Sequence, residues 1–271
     1  MKRFLVFVVM LTLPVFFTAA QDDGLGLTVG VELECPGIND EFALNVIPFL
    51  EYDTSFGDLD IWAWLGVSFG VVHDEDDFPV NLSAEFLPWY NLRLSSDSTL
   101  SIGVYGNLEY QISPSVDDAL FFELEPRVKY NQSFDFGDLY GIIGLPVGLV
   151  YPYDDYDVSL GVKFTLGWAS TFGLELELTP HFMFMPDGVD MYEGIELLIS
   201  YEADSIYGEL VVGIPNDMDY GGYHFDPGVT LSPHVEYRFA RMAVYLGADI
   251  IGIGSSSDIE VDLKAGFKYS F

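Results

Sequence analysis

The last fourteen residues, Asp258-Ile-Glu-Val-Asp-Leu-Lys-Ala-Gly-Phe-Lys-Tyr-Ser-Phe271, alternate between two kinds of side chain. One set is apolar and consists of Ile259, Val261, Leu263, Ala265, Phe267, Tyr269 and Phe271. The other set is charged, polar or small and consists of Glu260, Asp262, Lys264, Gly266, Lys268 and Ser270. Because successive side chains of a β-strand point to opposite faces, this stretch predicts a strand with one apolar and one charged face.

The chain stops on an aromatic residue that belongs to the apolar face, Phe271. In this respect the stretch resembles the C-terminal strand of bacterial outer-membrane β-barrels, with no specific family identified. The resemblance implies a porin-like barrel of a diderm bacterium. It also implies that Phe267, Tyr269 and Phe271 form an assembly signal for the barrel assembly machinery.

The N-terminal residues have the pattern of a secretory signal peptide. Lys2 and Arg3 precede an apolar run from Phe4 to Phe17, and Thr18-Ala19-Ala20 offers a small-residue cleavage site. The apolar run is too short for a membrane-spanning helix. We therefore expect residues 1–20 to be a signal peptide, residues 21–271 to form one transmembrane β-barrel, and the product to be exported to the outer membrane.

The composition combines two properties that seldom occur together in a soluble protein. Half of the residues are hydrophobic, yet the formal net charge is −33. This combination is typical of a barrel with lipid outside and water inside. The acidity argues against nucleic acid as a partner, because phosphate binding requires clustered Lys and Arg. The single cysteine, Cys35, cannot form an internal disulfide and is interpreted as a loop residue.

Alternation over runs of about ten residues predicts an all-β chain of fourteen strands. A motif of Pro followed four residues later by Tyr recurs at Pro48 and Pro126, with weaker copies at Pro233 and Pro88, and would place a tyrosine near one membrane interface. A further copy at Pro180 falls on a strand of opposite direction, which leaves twelve strands as an alternative. The predicted strands are Leu25–Glu34, Phe42–Tyr52, Asp58–Gly70, Val80–Leu92, Leu100–Ile112, Phe121–Phe134, Leu139–Val150, Tyr156–Trp168, Phe172–Met185, Tyr192–Tyr201, Ile206–Ile214, Tyr223–Phe239, Met242–Ile253 and the final strand.

The charges of the predicted strands fall on the face opposite the apolar residues, and none is expected on the apolar face. A Lys or Arg at the bilayer midplane of a barrel's lipid face costs about 2–4 kcal/mol, which would keep that face free of charge. A soluble β-sandwich would expose the charged faces instead. The signal peptide, Phe271 and the aromatic content favour the barrel. The charged residues expected to line a pore include Glu85, Arg93, Glu123, Glu125, Arg127, Lys129, Lys163, Glu175, Glu177, Glu236, Arg238 and Lys264.

Two finer expectations concern the lumen. The seventh strand presents Gly144, Pro146 and Gly148 inward, which would leave space for water. Closure of the barrel brings the last strand beside the first, so Lys264 and Lys268 are expected to meet Glu32 and Glu34.

No motif for catalysis or a cofactor is present. There is no P-loop, CxxC or HExxH pattern. Ser232, His234 and Glu236 share one face, but alternate positions of a strand lie roughly 7 Å apart, too far for direct contact between a nucleophile and its base. The acidic run His73-Asp-Glu-Asp-Asp77 and the pairs Asp117-Asp118 and Asp154-Asp155 lack the calcium-loop pattern and are interpreted as solvated loops. We expect no enzyme, no cofactor and no metal site.

The sequence therefore predicts a porin-like channel that passes small hydrophilic solutes and prefers cations, with outer-membrane lipid as its surroundings. A non-conducting structural or adhesive barrel is the alternative. A transporter for apolar solutes is less expected, because neither an N-terminal plug nor an apolar lumen is evident. A barrel hydrolase is also less expected.

Overall fold

The computed structural model describes residues 26–36, 44–72, 80–112, 119–151, 157–185, 190–218, 228–254 and 259–271. These residues form strands and turns. The strands are β1 (Leu27–Cys35), β2 (Leu44–Phe56), β3 (Leu59–Val72), β4 (Val80–Arg93), β5 (Ser98–Ile112), β6 (Ala119–Phe134), β7 (Gly137–Gly144), β8 (Val147–Tyr151), β9 (Asp157–Ser170), β10 (Leu174–Met185), β11 (Asp190–Ala203), β12 (Ile206–Met218), β13 (Val229–Phe239), β14 (Met242–Ile253) and β15 (Glu260–Ser270).

All strands belong to one antiparallel sheet in which strands pair with their neighbours in sequence, except that β7 and β8 do not pair with each other. The last strand, β15, pairs with β1, with Thr28 opposite Ser270 and Glu34 opposite Lys264, and this pairing closes the barrel. β7 and β8 both lie between β6 and β9 and share one position in the sheet. The barrel therefore has fourteen strand positions, which confirms the predicted fold, and the twelve-strand alternative is wrong.

The predicted seventh strand is interrupted at Leu145 and Pro146, but its register does not change. Gly144 faces Arg127 and Val147 faces Leu124, so the same alignment with β6 continues across the gap. Leu145 N–H donates to the Pro126 carbonyl at 3.0 Å, and Gly161 N–H donates to the Pro146 carbonyl at 2.8 Å. The reciprocal bonds are missing because Pro126 and Pro146 have no N–H to donate.

The other mid-strand prolines produce similar gaps. The ladder between β4 and β5 lacks the pairs between Phe86–Gly106 and Trp89–Gly103, at Pro88. Corresponding gaps lie beside Pro48, Pro180 and Pro233 in the hairpins β2–β3, β9–β10 and β13–β14. One hairpin therefore carries its proline on the second strand, which explains why the Pro180 motif runs in the opposite direction without changing the strand number.

The two ends of the barrel have different connections. At the end that holds Gly26 and Phe271, the strands are joined by residues 57–58, 94–97, 135–136, 171–173, 204–205 and 240–241. Gly57 (φ 64°) and Ala240 (φ 56°) adopt the positive φ that two-residue hairpins favour. The connections at the other end are mostly longer and fall largely outside the described residues, as do His73–Asp77 and both acidic pairs. Short turns and longer loops at opposite ends are typical of outer-membrane barrels.

The convex face of the sheet is apolar and exposed. Leu166, Leu178 and Leu246 expose 60%, 45% and 68% of their surface there. In a soluble protein such large apolar side chains would mostly be buried in the core, whereas a lipid-facing wall exposes them. No helix among the described residues is long and apolar enough to span a membrane.

Close to the turn end, every second strand position of the barrel carries an aromatic residue at the same height. The register places each of them opposite a residue close to a turn or a terminus, on the outward face. Such a ring of amphipathic aromatic side chains is typical of a membrane–water interface. The seven residues are Tyr52, Tyr90, Tyr130, Trp168, Tyr201, Tyr237 and Tyr269.

Candidate channel lumen

Hydrogen bonds that skip a strand show which face of the sheet is concave. The Tyr140 hydroxyl on β7 donates to Glu175 on β10 at 2.6 Å, across β9. Lys268 on β15 lies 2.6 Å from Glu236 on β13, across β14. Side chains two strands apart converge in this way on the inside of a curved sheet. The charged face is therefore turned towards the barrel axis.

All twelve charged residues that the sequence assigns to a pore lie on this inward face. The register connects them through directly opposed pairs such as Glu85–Asn107–Glu123 and Arg127–Gly144–Lys163. Arg93 lies close to a turn, where it donates hydrogen bonds to the carbonyls of Ser95 and Ser96. Glu85 accepts a hydrogen bond from Tyr105, Lys264 lies at the seam between β15 and β1, and the other residues of the set fall into three groups of side-chain contacts.

The first group, the Glu125 cluster, consists of Glu123, Glu125, Arg127 and Lys163. Arg127 donates two hydrogen bonds to Glu125, at 2.7 and 2.9 Å. Lys163 lies 3.4 Å from Glu125 and 3.7 Å from Glu123. The Glu125 side chain is only 2% exposed, and a fork-shaped pair of this kind is among the stronger charge-assisted contacts. Both bases of the cluster are thus neutralised by acids.

The expected space beside the seventh strand is largely filled. Gly144 has no side chain, and the carboxylate of Glu125 occupies the position that a Cβ would take there. The hydroxyl of Ser159 does the same at Gly148, and Pro146 is fully buried. These two glycines therefore make room for neighbouring side chains, and the expectation of water space at this strand is wrong.

The second group, the Glu236 cluster, consists of Glu202, Glu236, Arg238 and Lys268. Glu236 is 3% exposed and accepts hydrogen bonds from Arg238 at 2.5 Å and Lys268 at 2.6 Å. Arg238 also pairs with the exposed Glu202. Two bases thus meet two acids on the wall formed by β11 to β15.

At the seam between β15 and β1, one of the two expected lysine contacts is present. Lys264 lies 3.8 Å from Glu34 and 2.8 Å from Asp249. Lys268 turns instead to Glu236, and Glu32 accepts a hydrogen bond from the Tyr245 hydroxyl at 2.8 Å. The Tyr245 ring covers Gly266 between the two lysines, which gives its hydroxyl access to Glu32.

The third group joins Glu175 and Glu177 to one tyrosine. Both carboxylates accept a hydrogen bond from the Tyr140 hydroxyl, which can donate its single hydrogen to only one of them at a time. Lys129 lies over the Tyr140 ring, 4.4 Å from its centroid. Within the described residues neither carboxylate forms an ion pair with Lys or Arg, so both keep their charge largely uncompensated.

The arrangement around His234 does not match that of a hydrolase. The Glu236 carboxylate is engaged by Arg238 and Lys268, and Ser232 hydrogen-bonds Asp249. The His234 ring packs against the rings of Tyr207 and Tyr245, at centroid distances of 6.2 and 5.3 Å. In the part of the chain that the structure describes, no group of three metal-ligating side chains occurs.

Inward aromatic residues are the part of the lumen that the charge pattern misses. They include Phe49, Trp62, Trp64, Trp89, Tyr105, Tyr140, Tyr207 and Tyr245, as their register shows. Several rings lean over a glycine: Trp89 over Gly103, Tyr140 over Gly167 and Trp64 over Gly66. In each strand these aromatic residues lie an even number of positions from the inward charged residues. This spacing alone would have predicted that they face the lumen.

No protein-family model matches the chain, and no curated protein matches it. Solved outer-membrane barrels are similar to it in structure. The toluene transporter TodX of Pseudomonas putida superposes with a TM-score of 0.52 at 9% identity, covering 92% of this chain and 90% of that chain. CymD, a monoaromatic hydrocarbon channel, gives a TM-score of 0.51 at 10% identity, with coverage of 92% and 89%. For the outer membrane channel DcaP of Acinetobacter baumannii, the TM-score is 0.46 at 11% identity, with coverage of 93% and 99%. At these identities the likeness is one of fold.

Proposed function

We propose that the protein is an outer-membrane channel through which small hydrophilic solutes diffuse, with a preference for cations. The observation that carries the proposal is an imbalance of charge on the inward face. Of the ten Lys and Arg residues, Lys2 and Arg3 precede the barrel and Arg241 lies in a turn, which leaves seven on the inward face. Five of these form ion pairs, Lys129 lies over a tyrosine ring and Arg93 is bonded to turn carbonyls.

Many inward acids, in contrast, have only neutral partners. Glu51, Asp60 and Glu85 accept hydrogen bonds from Trp62, Asn91 and Tyr105, and Glu209 accepts one from Tyr207. Glu175 and Glu177 share Tyr140. A neutral donor leaves the carboxylate charge in place. Acids that line a pathway with low-dielectric walls raise the local cation concentration and lower that of anions.

The size of the barrel supports an aqueous path. Eight-stranded barrels have interiors that side chains can fill, and the diameter grows with strand number, so fourteen strands enclose a wider interior. A non-conducting barrel remains the second candidate, and one observation favours it. Inward side chains such as Phe49, Tyr140 and Tyr245 are buried, which shows that part of the interior is filled.

Planar bilayers containing the purified protein test the proposal. Under a gradient of KCl at low ionic strength, we expect ohmic conductance and a reversal potential of the sign that K⁺ preference produces. The preference should weaken as salt rises, because the Debye length is about 8 Å at physiological ionic strength and shorter above it. A reversal potential of the opposite sign would contradict the cation preference. Absence of conductance would favour the non-conducting barrel.

A further inference from the structure

Three of the four tryptophans lie on the inward face of two adjacent strands. Trp62 and Trp64 are on β3 and Trp89 is on β4, whereas Trp168 is on the outward face of β9. The three inward side chains are half-buried, so part of each ring faces the interior. Phe49 extends this surface, with its ring centroid 6.1 Å from that of Trp64.

A carboxylate stands directly across from each of these tryptophans. Trp64 is opposite Glu51 on one side and Glu85 on the other, and Trp89 is opposite Asp60. Trp62 is opposite Asp53. Opposed residues of an antiparallel pair have Cβ atoms about 4.5–5.5 Å apart, close enough for a single ligand to touch both. We call Trp62, Trp64, Trp89, Glu51, Asp60 and Glu85 the tryptophan wall.

The carboxylates of the tryptophan wall differ from those of the Glu125 and Glu236 clusters. Glu51 accepts from Trp62 Nε1 at 3.0 Å and Glu85 from the Tyr105 hydroxyl at 3.0 Å. Asp60 accepts from Asn91 and Ser55, at 2.6 Å each. Among the described residues no Lys or Arg forms an ion pair with any of the three. The wall therefore combines fixed aromatic rings with negative charge that its own neighbours do not neutralise.

We propose that the tryptophan wall is a binding site for organic cations, meaning ammonium compounds that carry an apolar body. The face of an indole ring attracts a cation, and Trp is the best of the aromatic side chains in this role. The adjacent carboxylates add direct attraction, and the rings also contact the apolar part of the ligand. This inference rests on the proposed channel function and deepens it, because it names the class of solute that the channel favours.

The same arrangement disfavours other ligand classes. An anion would meet carboxylates beside each ring. A neutral apolar solute could contact the rings but would gain nothing from the charges. A small inorganic cation would keep its hydration shell and gain little from the indole faces. Only a weakly hydrated organic cation can use both parts of the wall.

Choline and its uncharged isostere 3,3-dimethylbutan-1-ol provide a matched pair of probes. Titration of the purified barrel in a maltoside detergent, which contains no ammonium group, should give a saturable change in tryptophan fluorescence with choline. Equilibrium dialysis with labelled choline measures the same constant independently of fluorescence. We expect choline to bind at least about tenfold more tightly than the isostere. Equal affinity for the two compounds, or no binding of choline in either assay, would overturn the inference.

Variants identify the site. Trp64→Leu should weaken choline binding severalfold, and Trp168→Leu on the lipid face is the matched control that should not. The double variant Glu51→Gln with Glu85→Gln keeps one acceptor oxygen in each side chain and removes two of the three charges of the wall, so it should reduce the preference for choline over its isostere severalfold. Heat-modifiable migration in gels verifies that each variant is folded. If the double variant retains the full preference, the tryptophan wall is not the site.

The outcomes separate this inference from the channel assignment. A protein that conducts K⁺ but does not distinguish choline from the alcohol would refute the site and keep the channel. A protein that binds choline through the tryptophan wall but conducts nothing would refute the channel and keep the site.

Discussion

At the residue scale, Glu236 shows how an inward acid can stabilise the barrel wall. Its side chain is 3% exposed and receives hydrogen bonds from Arg238 and Lys268, so its charge is shielded from water and matched by two bases. Hydrogen bonds to charged groups contribute about 1.5–3 kcal/mol, more than neutral ones. Glu202 pairs with the same arginine but is 59% exposed, where ion pairs contribute about 0–1 kcal/mol.

Replacing these two acids by glutamine gives a matched test of that difference. We expect Glu236→Gln to lower the free energy of unfolding by about 1–3 kcal/mol, because Arg238 and Lys268 lose a buried counter-charge. Glu202→Gln should lower it by less than about 1 kcal/mol. Equilibrium unfolding in urea with lipid vesicles measures both values. A larger loss for Glu202→Gln than for Glu236→Gln would contradict this interpretation.

Glu175 and Glu177 belong to the permeation pathway in our proposal. Both accept from Tyr140, and neither is neutralised by a base in the described part of the chain. The double variant Glu175→Gln with Glu177→Gln should shift the reversal potential towards zero while the barrel stays folded. Aspartate at both positions preserves the charge and should keep the cation preference. An unchanged reversal potential in the glutamine variant would exclude these acids from selectivity.

The sequence pattern predicts where a charge points but not which partner it meets. Parity alone placed the pore residues on the inward face, since a strand has only two sides. The contact of Lys268 with Glu236 depends on strand register and on the Tyr245 ring that covers Gly266, neither of which a single strand reveals. The charge pattern does not reveal the inward tryptophans, because these residues carry no charge.

At the element scale, the prolines interrupt hydrogen-bond ladders inside a closed sheet. Pro88 faces outward on β4, and the β4–β5 ladder is broken beside it. Proline is normally confined to edges and bulges of sheets because it cannot donate to the ladder. The fourteen alternating stretches were predictable from their period. The gap at Leu145 and Pro146 was not, because it depends on Pro126 of β6, which stands beside Leu145, as well as on Pro146 itself.

Restoring one of these donors should stabilise the folded barrel. Pro88→Val provides an N–H at the interrupted ladder and a β-branched side chain for the outward face. We expect the free energy of unfolding to rise by about 1 kcal/mol, the net value of one hydrogen bond. Leu82→Val changes another outward residue of β4 without adding a donor and serves as the control. Equal or lower stability of Pro88→Val would show that the gap is not a lost hydrogen bond.

The end of β15 allows the expected assembly signal to be tested. Phe271 N–H donates to the Leu27 carbonyl at 3.0 Å, and its ring packs edge-on against Tyr269 at 5.0 Å. Phe271→Ala should reduce the yield of folded barrel in cells, because the assembly machinery would lose its terminal aromatic residue. Refolding of the same variant in detergent should remain efficient. Phe239→Ala removes an outward aromatic residue near another turn and is the control; an equal loss of yield in both variants would contradict a terminal signal.

At the scale of the whole molecule, the apolar convex face requires a membrane. Exposed residues such as Leu166 and Leu246 surround the barrel, and a ring of seven aromatic residues marks its turn end. The composition and the alternation were enough to predict this architecture, because lipid outside and polar groups inside leave an unusual sequence pattern. The described residues do not include the predicted signal peptide, so export stays a prediction.

Cell fractionation tests the expected location. The protein should fractionate with the outer membrane, resist extraction by alkaline carbonate and migrate faster in gels when it is not boiled, because a closed barrel resists detergent until it is heated. Release by carbonate without detergent would show that the apolar face is not embedded in lipid.

The closed meander also determines how far apart in sequence its contacts are. Every neighbouring pair of strands is joined by a single connection except one, the seam, where Thr28 and Ser270 meet across 242 positions. Folding rates fall as contacts become more distant in sequence, because the entropy of closing a long loop must be paid before the contact forms. Thirteen of the fourteen strand pairings therefore join segments that are close in sequence and need only short loops to close. Formation of the seam is the single non-local event, and the time that the barrel takes to close depends on it.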